Sequence, residues 1–191
     1  EGVNLFGSPK YQKIMGKSPN VPGIHGGKRL GKMSEFAKQL REKQKAKRMY
    51  GLSEKQFRKY FDKAARSKVV TGVKLLEQLE RRADNVVYKS GLALTRAQAR
   101  QFVSHGLFML DQRPVNIPSI QLKPGDVLEV RKSRQKSLVF SNNKEENESY
   151  SPPDWMKVDL QKFTVEIIRL PEEKDFEALI NTQSIVEFYS R

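Results

Sequence analysis

Residues 95–115 read TRAQARQFVSHGLFMLDQRPV, and the change of pattern inside this stretch predicts the fold class. Thr95 and Gln98 form a capping box, so a helix begins there and runs to His105, with Gly106 as its stop. After Gly106 the apolar residues change from helical to strand spacing. Strands are predicted at residues 107–110, 113–117 and 127–131, with a turn at Pro124-Gly125. A short helix followed by short strands predicts an α+β protein.

Helix caps and apolar spacing predict three more helices upstream of this stretch. Ser34 caps a helix that runs to about Tyr50, and a second helix begins at Ser53. A third helix is predicted from Thr71 to Gly91. Two further segments have strand-like patterns, residues 163–170 and 185–189.

The helix that begins at Ser53 has two chemically different faces. Its apolar stripe consists of Phe57, Tyr60, Phe61 and Ala64. Four cations lie largely off that stripe, namely Lys55, Lys59, Lys63 and Arg66. The stripe is most simply part of a core, so the basic row is the more informative face for function.

Positive charge is concentrated in the first two thirds of the chain. Of 191 residues, 36 are Lys or Arg and 22 are Asp or Glu, which makes the net charge +14. Residues 1–70 contain 18 Lys and Arg against 5 Asp and Glu, whereas residues 136–191 contain 7 against 11. Clustered cations indicate a polyanionic partner, because each neutralised phosphate releases condensed counterions.

Several function classes are excluded or disfavoured by composition. The chain has no Cys, which excludes a disulfide scaffold, a thiol nucleophile and a thiolate metal site. No run approaches the roughly 20 apolar residues of a membrane-spanning helix, and residues 1–20 lack the apolar core of a signal peptide. His25 and His105 are the only histidines, and no catalytic constellation accompanies them. We therefore predict a protein that is not an enzyme and that needs no metal or cofactor.

Four sequence blocks resemble the small-subunit ribosomal protein S-four family. They are PGIHG at 22–26, LREKQK at 40–45 with Tyr50-Gly51, residues 82–88 with 95–106, and IVEFYSR at 185–191. The third block resembles the RNA-binding module named after this family, which pseudouridine synthases and some tRNA synthetases also carry. The four blocks in this order are specific to the ribosomal family.

The resemblance implies a structural role in the small ribosomal subunit. Members are primary binders of small-subunit rRNA at a junction in the 5′ domain, nucleate assembly of the subunit body and affect translational accuracy. It also implies contact with ribosomal protein five, and with mRNA where the message enters the subunit, near Lys28, Arg29 and Lys32. The implied location is a ribosome, cytoplasmic or organellar, with no membrane partner. An RNA-modifying or ribosome-quality-control factor that uses the same module is the alternative.

This chain departs from the family pattern at a few positions. It lacks the N-terminal cysteines with which some relatives bind zinc, so we expect no metal. Asp111-Gln112 stands where the family hairpin often has Asn-Gly. A two-residue turn of this kind needs positive φ, which is less comfortable without glycine.

These inferences define the predicted domains and RNA-binding residues. The domains are a basic N-terminal arm (1–33), a helical rRNA-binding lobe (34–80), the RNA-binding module (81–140), a loop (141–150) and a segment that completes the helical lobe (151–191). The predicted RNA-binding residues are His25, Lys28, Arg29, Lys32, Arg41, Lys43, Lys45, Lys47, Arg48, Tyr50, Lys55, Arg58, Lys59, Arg81, Arg82, Asn85, Tyr88, Arg96, Gln98, Arg100, Gln101 and His105.

Overall fold

A computed structural model describes residues 1–7, 9–18, 20, 23–24, 33–135, 137, 140 and 151–190 of the chain. It contains two compact units. One comprises Glu1–Phe57 and Ala178–Arg191, and the other comprises Arg58–Glu177. The boundary between them falls inside a helix, and no helix in the described ranges is long and apolar enough to cross a membrane.

The first unit is helical. It contains α1 (Pro9–Lys17), α2 (Glu35–Met49) and the first turn of α3 (Glu54–Ala65). It also contains the last helix, α7 (Thr182–Tyr189). The side chain of Ser34 caps α2 by accepting a hydrogen bond from the amide of Ala37, as its residue type predicts.

Two segments of the first unit differ from the sequence-based expectation. Residues 9–17 of the N-terminal arm form α1, for which the sequence analysis predicts no helix, and most of this helix is exposed. Residues 185–189, which have a strand-like pattern, belong to helix α7. Asn181 caps α7 by accepting from the Ser184 amide. A five-residue apolar segment fits either period, and burial of Ile185 against α2 selects the helix.

The second unit combines helices with an antiparallel sheet. Its helices are the rest of α3, α4 (Thr71–Glu80), α5 (Ala83–Lys89) and α6 (Arg96–Ser104). Its strands are β1 (Phe108–Leu110), β2 (Arg113–Val115), β3 (Val127–Val130), β4 (Met156–Asp159) and β5 (Thr164–Ile167). The strand order is β2-β1-β3-β5-β4, and a short 3-10 helix follows at Glu173–Asp175. The mixed architecture confirms the α+β fold class.

Strands β4 and β5 belong to the sheet, although residues 151–191 are predicted from sequence to complete the helical lobe. β4 and β5 pair with each other, and β5 pairs with β3 through Leu128 and Val165. Val165, Ile167 and Trp155 are buried in the same core as Leu128. Apolar residues alternate along β5 because only one of its faces is covered. Of residues 151–191, only those from Ala178 onward belong to the helical unit.

The helix predicted from Thr71 to Gly91 is in fact two helices. The chain leaves helical geometry at Arg82, whose ψ is 137°. The amide of Leu122 donates to the carbonyl of Arg81, and the amide of Ala83 donates to the carbonyl of Ile120. The segment that contains Ile120 and Leu122, about 40 residues away, thus binds the carbonyl of Arg81 and the amide of Ala83. A continuous helix would have used these two backbone groups in its own hydrogen bonds.

The β1–β2 hairpin keeps the turn geometry that glycine usually provides. Asp111 has φ 46° and Gln112 has φ 66°, so both lie in the left-handed region. The carboxylate of Asp111 accepts a hydrogen bond from the amide of Val127 on β3. This bond stabilises Asp111 in the left-handed conformation. Gln112 also adopts positive φ, although a residue with a Cβ atom rarely does so.

Candidate nucleic-acid interface

Helix α3 and the turn that follows it expose a row of cations on the side opposite the buried face of the helix. Phe57, Phe61 and Ala64 are buried, which confirms the core role of this stripe. The cations Lys59, Lys63 and Arg66 recur every three to four residues and are exposed. We call these three residues the α3 row. Lys59 and Lys63 lie about 6 Å apart along α3, and Arg66 directly follows Ala65, the last residue of the helix.

No residue of the α3 row forms an ion pair with another described residue. Their charges therefore face solvent without a carboxylate to neutralise them. Lys55, one turn earlier on the helix, is also exposed. A run of uncompensated cations at one helical face creates a local positive potential that attracts phosphate groups.

The outward face of α6 supplies a second group of polar side chains. Gln101, Ser104 and His105 are exposed, and the Arg100 side chain is 33% exposed. Thr95 caps the helix by accepting from the Gln98 amide, and the Gln98 side chain accepts from the amide of Leu94. The N-cap bond predicted at Thr95 is thus formed, whereas the Gln98 side chain binds the amide of Leu94 and not that of Thr95, as a capping box would require.

Arg82 and Arg100 converge on one buried carboxylate. Asp84 accepts from Nε and a terminal nitrogen of Arg82 at 3.0 and 2.7 Å, and from Nε and NH2 of Arg100 at 2.9 and 2.8 Å. Arg82 also donates to the hydroxyl of Tyr60 at 2.7 Å. Burial opposes the charged form of Arg82, but Asp84 outweighs this and raises the pKa of the guanidinium.

A second buried cluster surrounds Arg96. Its guanidinium donates to Asn85 and Glu177 and lies over the ring of Tyr88, 4.4 Å from the ring centre. Burial raises the pKa of Glu177, but the charges of Lys89 and Arg96 outweigh burial and lower it overall. Asn85 is buried and also donates to Glu80.

Several predicted contact residues therefore have structural partners inside the protein. Arg82 and Asn85 are buried, Arg96 is largely buried, and Tyr88 stacks beneath Arg96. Arg81 donates to the carbonyl of Leu122 and pairs with Glu77. Their charge and hydrogen-bonding groups are used to hold α4, α5 and α6 together. Sequence spacing could not reveal this, because it does not show where the acidic partners lie.

The cations of α2 are also paired within the first unit. Lys43 is buried and, with Lys47, binds Glu54; Lys45 pairs with Glu42. Burial opposes ionisation of Glu54, but hydrogen bonds from Lys43, Tyr189 and Lys47 lower its pKa to about 2.

Tyr50 is buried at the end of α2, and two arginines of the helix remain exposed. Arg41 and Arg48 reach solvent although each also pairs with Glu1. On α3, Arg58 is exposed and pairs with Asp62. Four predicted residues, His25, Lys28, Arg29 and Lys32, lie outside the described residues.

The structure also identifies residues that were missing from the predicted set. Lys63 and Arg66 are exposed near Lys59; their helical spacing places them in the predicted basic row, but the predicted set of RNA-binding residues leaves them out. Asp84 had no signal in sequence, since a lone acidic residue in a basic module has many explanations. No cluster of three or more metal-ligating side chains occurs in the ranges that the structure covers.

Comparison with known proteins places these features in a family context. Residues 1–80 match the family described as Ribosomal protein S4/S9 N-terminal domain, and residues 81–128 match the S4 domain. The chain is similar to small ribosomal subunit protein uS4 of Borrelia duttonii (strain Ly), with 48% identity over 191 residues, all of this chain and 92% of the relative. It is also 48% identical to uS4 of Syntrophomonas wolfei subsp. wolfei over 195 residues, covering all of this chain and 93% of that protein.

Proposed function

Because this chain belongs to the uS4 family of small ribosomal subunit proteins, we propose that its exposed cations bind small-subunit rRNA mainly through phosphate groups. The family is structural and rRNA-binding rather than enzymatic. This chain is accordingly a structural component of the small subunit. We assign the contact with rRNA to a surface formed by these exposed cations.

The observation that carries the proposal is the contrast between the α3 row and the buried arginines Arg82 and Arg96. Lys59, Lys63 and Arg66 have no carboxylate partner among the described residues, whereas Arg82 and Arg96 are held by internal acids. Only cations without internal partners contribute their full attraction to an external polyanion. Arg100, Gln101 and His105 on the outward face of α6 extend the polar surface.

Phosphate contacts of this kind suit folded RNA. The deep groove of an RNA helix is closed to side chains, so proteins recognise its backbone and 2′-hydroxyl groups by shape. A row of flexible lysines and one arginine provides affinity, and the rigid helices determine where along the RNA it can dock. Arg66 adds planar, two-point donation to phosphate oxygens.

The test is a triple substitution of the α3 row, Lys59→Gln with Lys63→Gln and Arg66→Gln. Binding to small-subunit rRNA is measured by filter binding across a salt series. We expect weaker binding, and a slope of log affinity against log salt that is shallower by about 2 to 3, because each lost phosphate contact removes about one unit. These exposed substitutions should leave stability nearly unchanged.

A matched control changes the same net charge elsewhere on the second unit. Lys157, Lys162 and Lys174 are exposed cations of the acidic C-terminal third, and all three are changed to Gln. We expect this control to keep the wild-type slope to within about half a unit. Equal losses in both variants would show that only net charge matters, and an unchanged slope in the α3 variant would contradict the proposed surface.

The finer roles implied by the family resemblance belong to the same proposal. They are binding at the 5′-domain junction, nucleation of the subunit body, an effect on accuracy, and contact with protein five and with incoming mRNA. The bacterial relatives support a place in the cytoplasmic ribosome. Cosedimentation tests the assembly role, since an integral component stays with the small subunit through a high-salt wash and an accessory factor is released.

A further inference from the structure

A groove crosses the face of the sheet that is turned away from the core of the second unit. We propose that it binds one unpaired nucleotide of the bound RNA, whose base carries an exocyclic amino group. The phosphate lies at the basic end of the groove, and the base lies over its apolar and acidic part. The inference rests on the proposed function, and it adds recognition of a base to a surface that otherwise contacts phosphates.

Strand register determines which residues form the floor of the groove. Met109 on β1 is paired with Pro114 on β2 and with Glu129 on β3, and all three line the groove. Their neighbours Phe108 and Leu128 are buried in the core, so alternate residues face the groove. Its volume is about 1110 Å³. Protein sites for small ligands usually have volumes of roughly 300 to 1,000 Å³, so the groove has room for a nucleotide.

Charge is ordered along the groove. Arg131 and Lys132 line the end at which β3 runs into the following turn. Asp111 lines the other end, where its amide and its carboxylate are both bonded to the backbone of Val127. Val127 and Arg131 are about 13 Å apart along the strand, and Glu129 stands between them. Cations, an apolar floor and carboxylates thus follow one another, in the same order as phosphate, sugar and base in a nucleotide.

The cations at the basic end keep their charge and part of their donor capacity. Neither Arg131 nor Lys132 forms an ion pair with another residue in the described ranges. Lys132 is exposed, and Nε of Arg131 is buried without a hydrogen-bond partner in the same part of the chain. Proteins seldom leave a buried donor without an acceptor. Phosphate oxygens accept strong, charge-assisted hydrogen bonds from both types of side chain.

The basic end also adjoins the α6 part of the proposed RNA surface. The amide of Arg131 donates to the carbonyl of Leu107 at 2.9 Å. A terminal guanidinium nitrogen of Arg131 lies 3.5 Å from the place that a Cβ atom would occupy at Gly106. Gly106 directly follows His105, which is exposed at the end of α6. An RNA strand with phosphates at α6 can continue into the groove, which favours RNA over a protein segment as the occupant.

The other half of the groove suits a base that has an amino group. Glu129 forms no ion pair with another described residue, and Oδ1 of Asp111 already accepts from Val127. Carboxylates accept hydrogen bonds from the amino groups of cytosine and adenine, whereas uracil presents an oxygen there. The sulfur of Met109 makes favourable contacts with aromatic rings. Only unpaired bases of RNA offer these edges to a protein.

Methyl NMR of the full chain measures occupation of the groove directly. The chain has five methionines, and Met109→Leu identifies the Met109 methyl signal. The probes are single-stranded RNA hexamers of cytidine and of uridine. We expect the cytidine hexamer to shift this signal at a concentration about tenfold lower than the uridine hexamer, the equivalent of one hydrogen bond to a charged group.

Glu129→Leu separates base recognition from charge attraction. Loss of the carboxylate makes the protein more positive, so attraction alone would tighten binding of both hexamers and preserve their ratio. We expect the tenfold preference for cytidine to fall to about twofold or less, because the acceptor of the amino group is lost. Glu166→Leu is the matched control and should keep the ratio, since Glu166 is exposed opposite Val127 on β5 and does not line the groove.

Arg131→Gln with Lys132→Gln tests the phosphate end on small-subunit rRNA. We expect the salt slope of filter binding to become shallower by about 1 to 2. Lys162→Gln with Lys174→Gln removes the same charge at exposed sites and should stay within about half a unit of wild type. If a thermal melt shows the first pair to be unfolded, Lys132→Gln alone decides, with an expected change of about one unit.

The outcomes distinguish this inference from the proposed function. Equal responses of Met109 to both hexamers, no response to either, or an unchanged rRNA slope in the groove variant overturns the inference while the α3 dependence stands. A signal that ignores both RNAs and shifts with hexalysine assigns the groove to a protein segment, which also overturns it. Wild-type binding by the α3 triple variant, together with a cytidine preference at Met109, removes the proposed surface and leaves the groove.

Discussion

Glu54 should make the helical unit sensitive to acid. Its carboxylate receives hydrogen bonds from Lys43 and Tyr189 at 2.9 and 2.8 Å and from Lys47 at 3.1 Å. It thereby joins the start of α3 to α2 and α7. The ammonium group of Lys43 is buried and lies 4.8 Å from the ring centre of Phe188. Neutralising Glu54 leaves that buried cation without its carboxylate.

The size of the effect follows from the pKa and the exposure of Glu54. A fall of its pKa from 4.5 to about 2 would correspond to about 3 kcal/mol for a group shielded from water. The side chain is 48% exposed, so solvent screening reduces the expected contribution to about 1 kcal/mol. Because the pKa is lowered on folding, this stabilisation is complete above about pH 4.5 and is lost as the pH falls towards 2.

Urea unfolding of the wild type and Glu54→Gln, followed by helical circular dichroism between pH 7 and pH 2, measures this contribution. We expect Glu54→Gln to be about 1 kcal/mol less stable at pH 7, with the difference shrinking as the pH falls below 4.5. Glu35→Gln is the control, because Glu35 is 74% exposed and pairs with Lys38 alone. Equal stability of wild type and Glu54→Gln at pH 7, or a difference that stays constant down to pH 2, would refute the reasoning.

Two further predictions concern the second unit. Trp155 is fully buried in the sheet core, so Trp155→Ala should lower the free energy of unfolding by about 3 to 5 kcal/mol, measured by denaturant unfolding. A substitution in the β1–β2 turn should instead stabilise the protein, because Gln112 has φ 66°. Gln112→Gly should raise the free energy of unfolding by up to about 1 kcal/mol, which is measured as a higher melting temperature. A lower melting temperature in Gln112→Gly would show that its side chain contributes more than its backbone conformation costs.

The helices that the sequence placed well are those whose signals are local. Ser34 and Thr95 cap α2 and α6 through their own side chains, within three residues of the amides that they bind. The two faces of α3 follow from 3.6-residue periodicity, which needs no knowledge of the rest of the fold. The four family blocks are likewise continuous stretches of sequence, which is why the family could be identified from them.

The features that the sequence did not place depend on distant residues. α4 and α5 separate because Leu122 and Ile120 bond to the chain at Arg81 and Ala83, about 40 positions away. The segment 185–189 is a helix because it packs on α2, and its own pattern fits a strand as well. β5 joins the sheet through β3 although an acidic stretch separates them in sequence.

The same distinction applies to the candidate interface. The sequence alone indicated a polyanionic partner, because net charge and its clustering along the chain need no coordinates. It could not determine which cations remain exposed in the folded protein. Arg96 is largely withdrawn from the surface by Glu177, 81 positions later, and Arg100 is oriented by Asp84, 16 positions earlier. Tertiary structure decided this, because internal carboxylates that engage an arginine lie far from it in sequence and are brought to it only by folding.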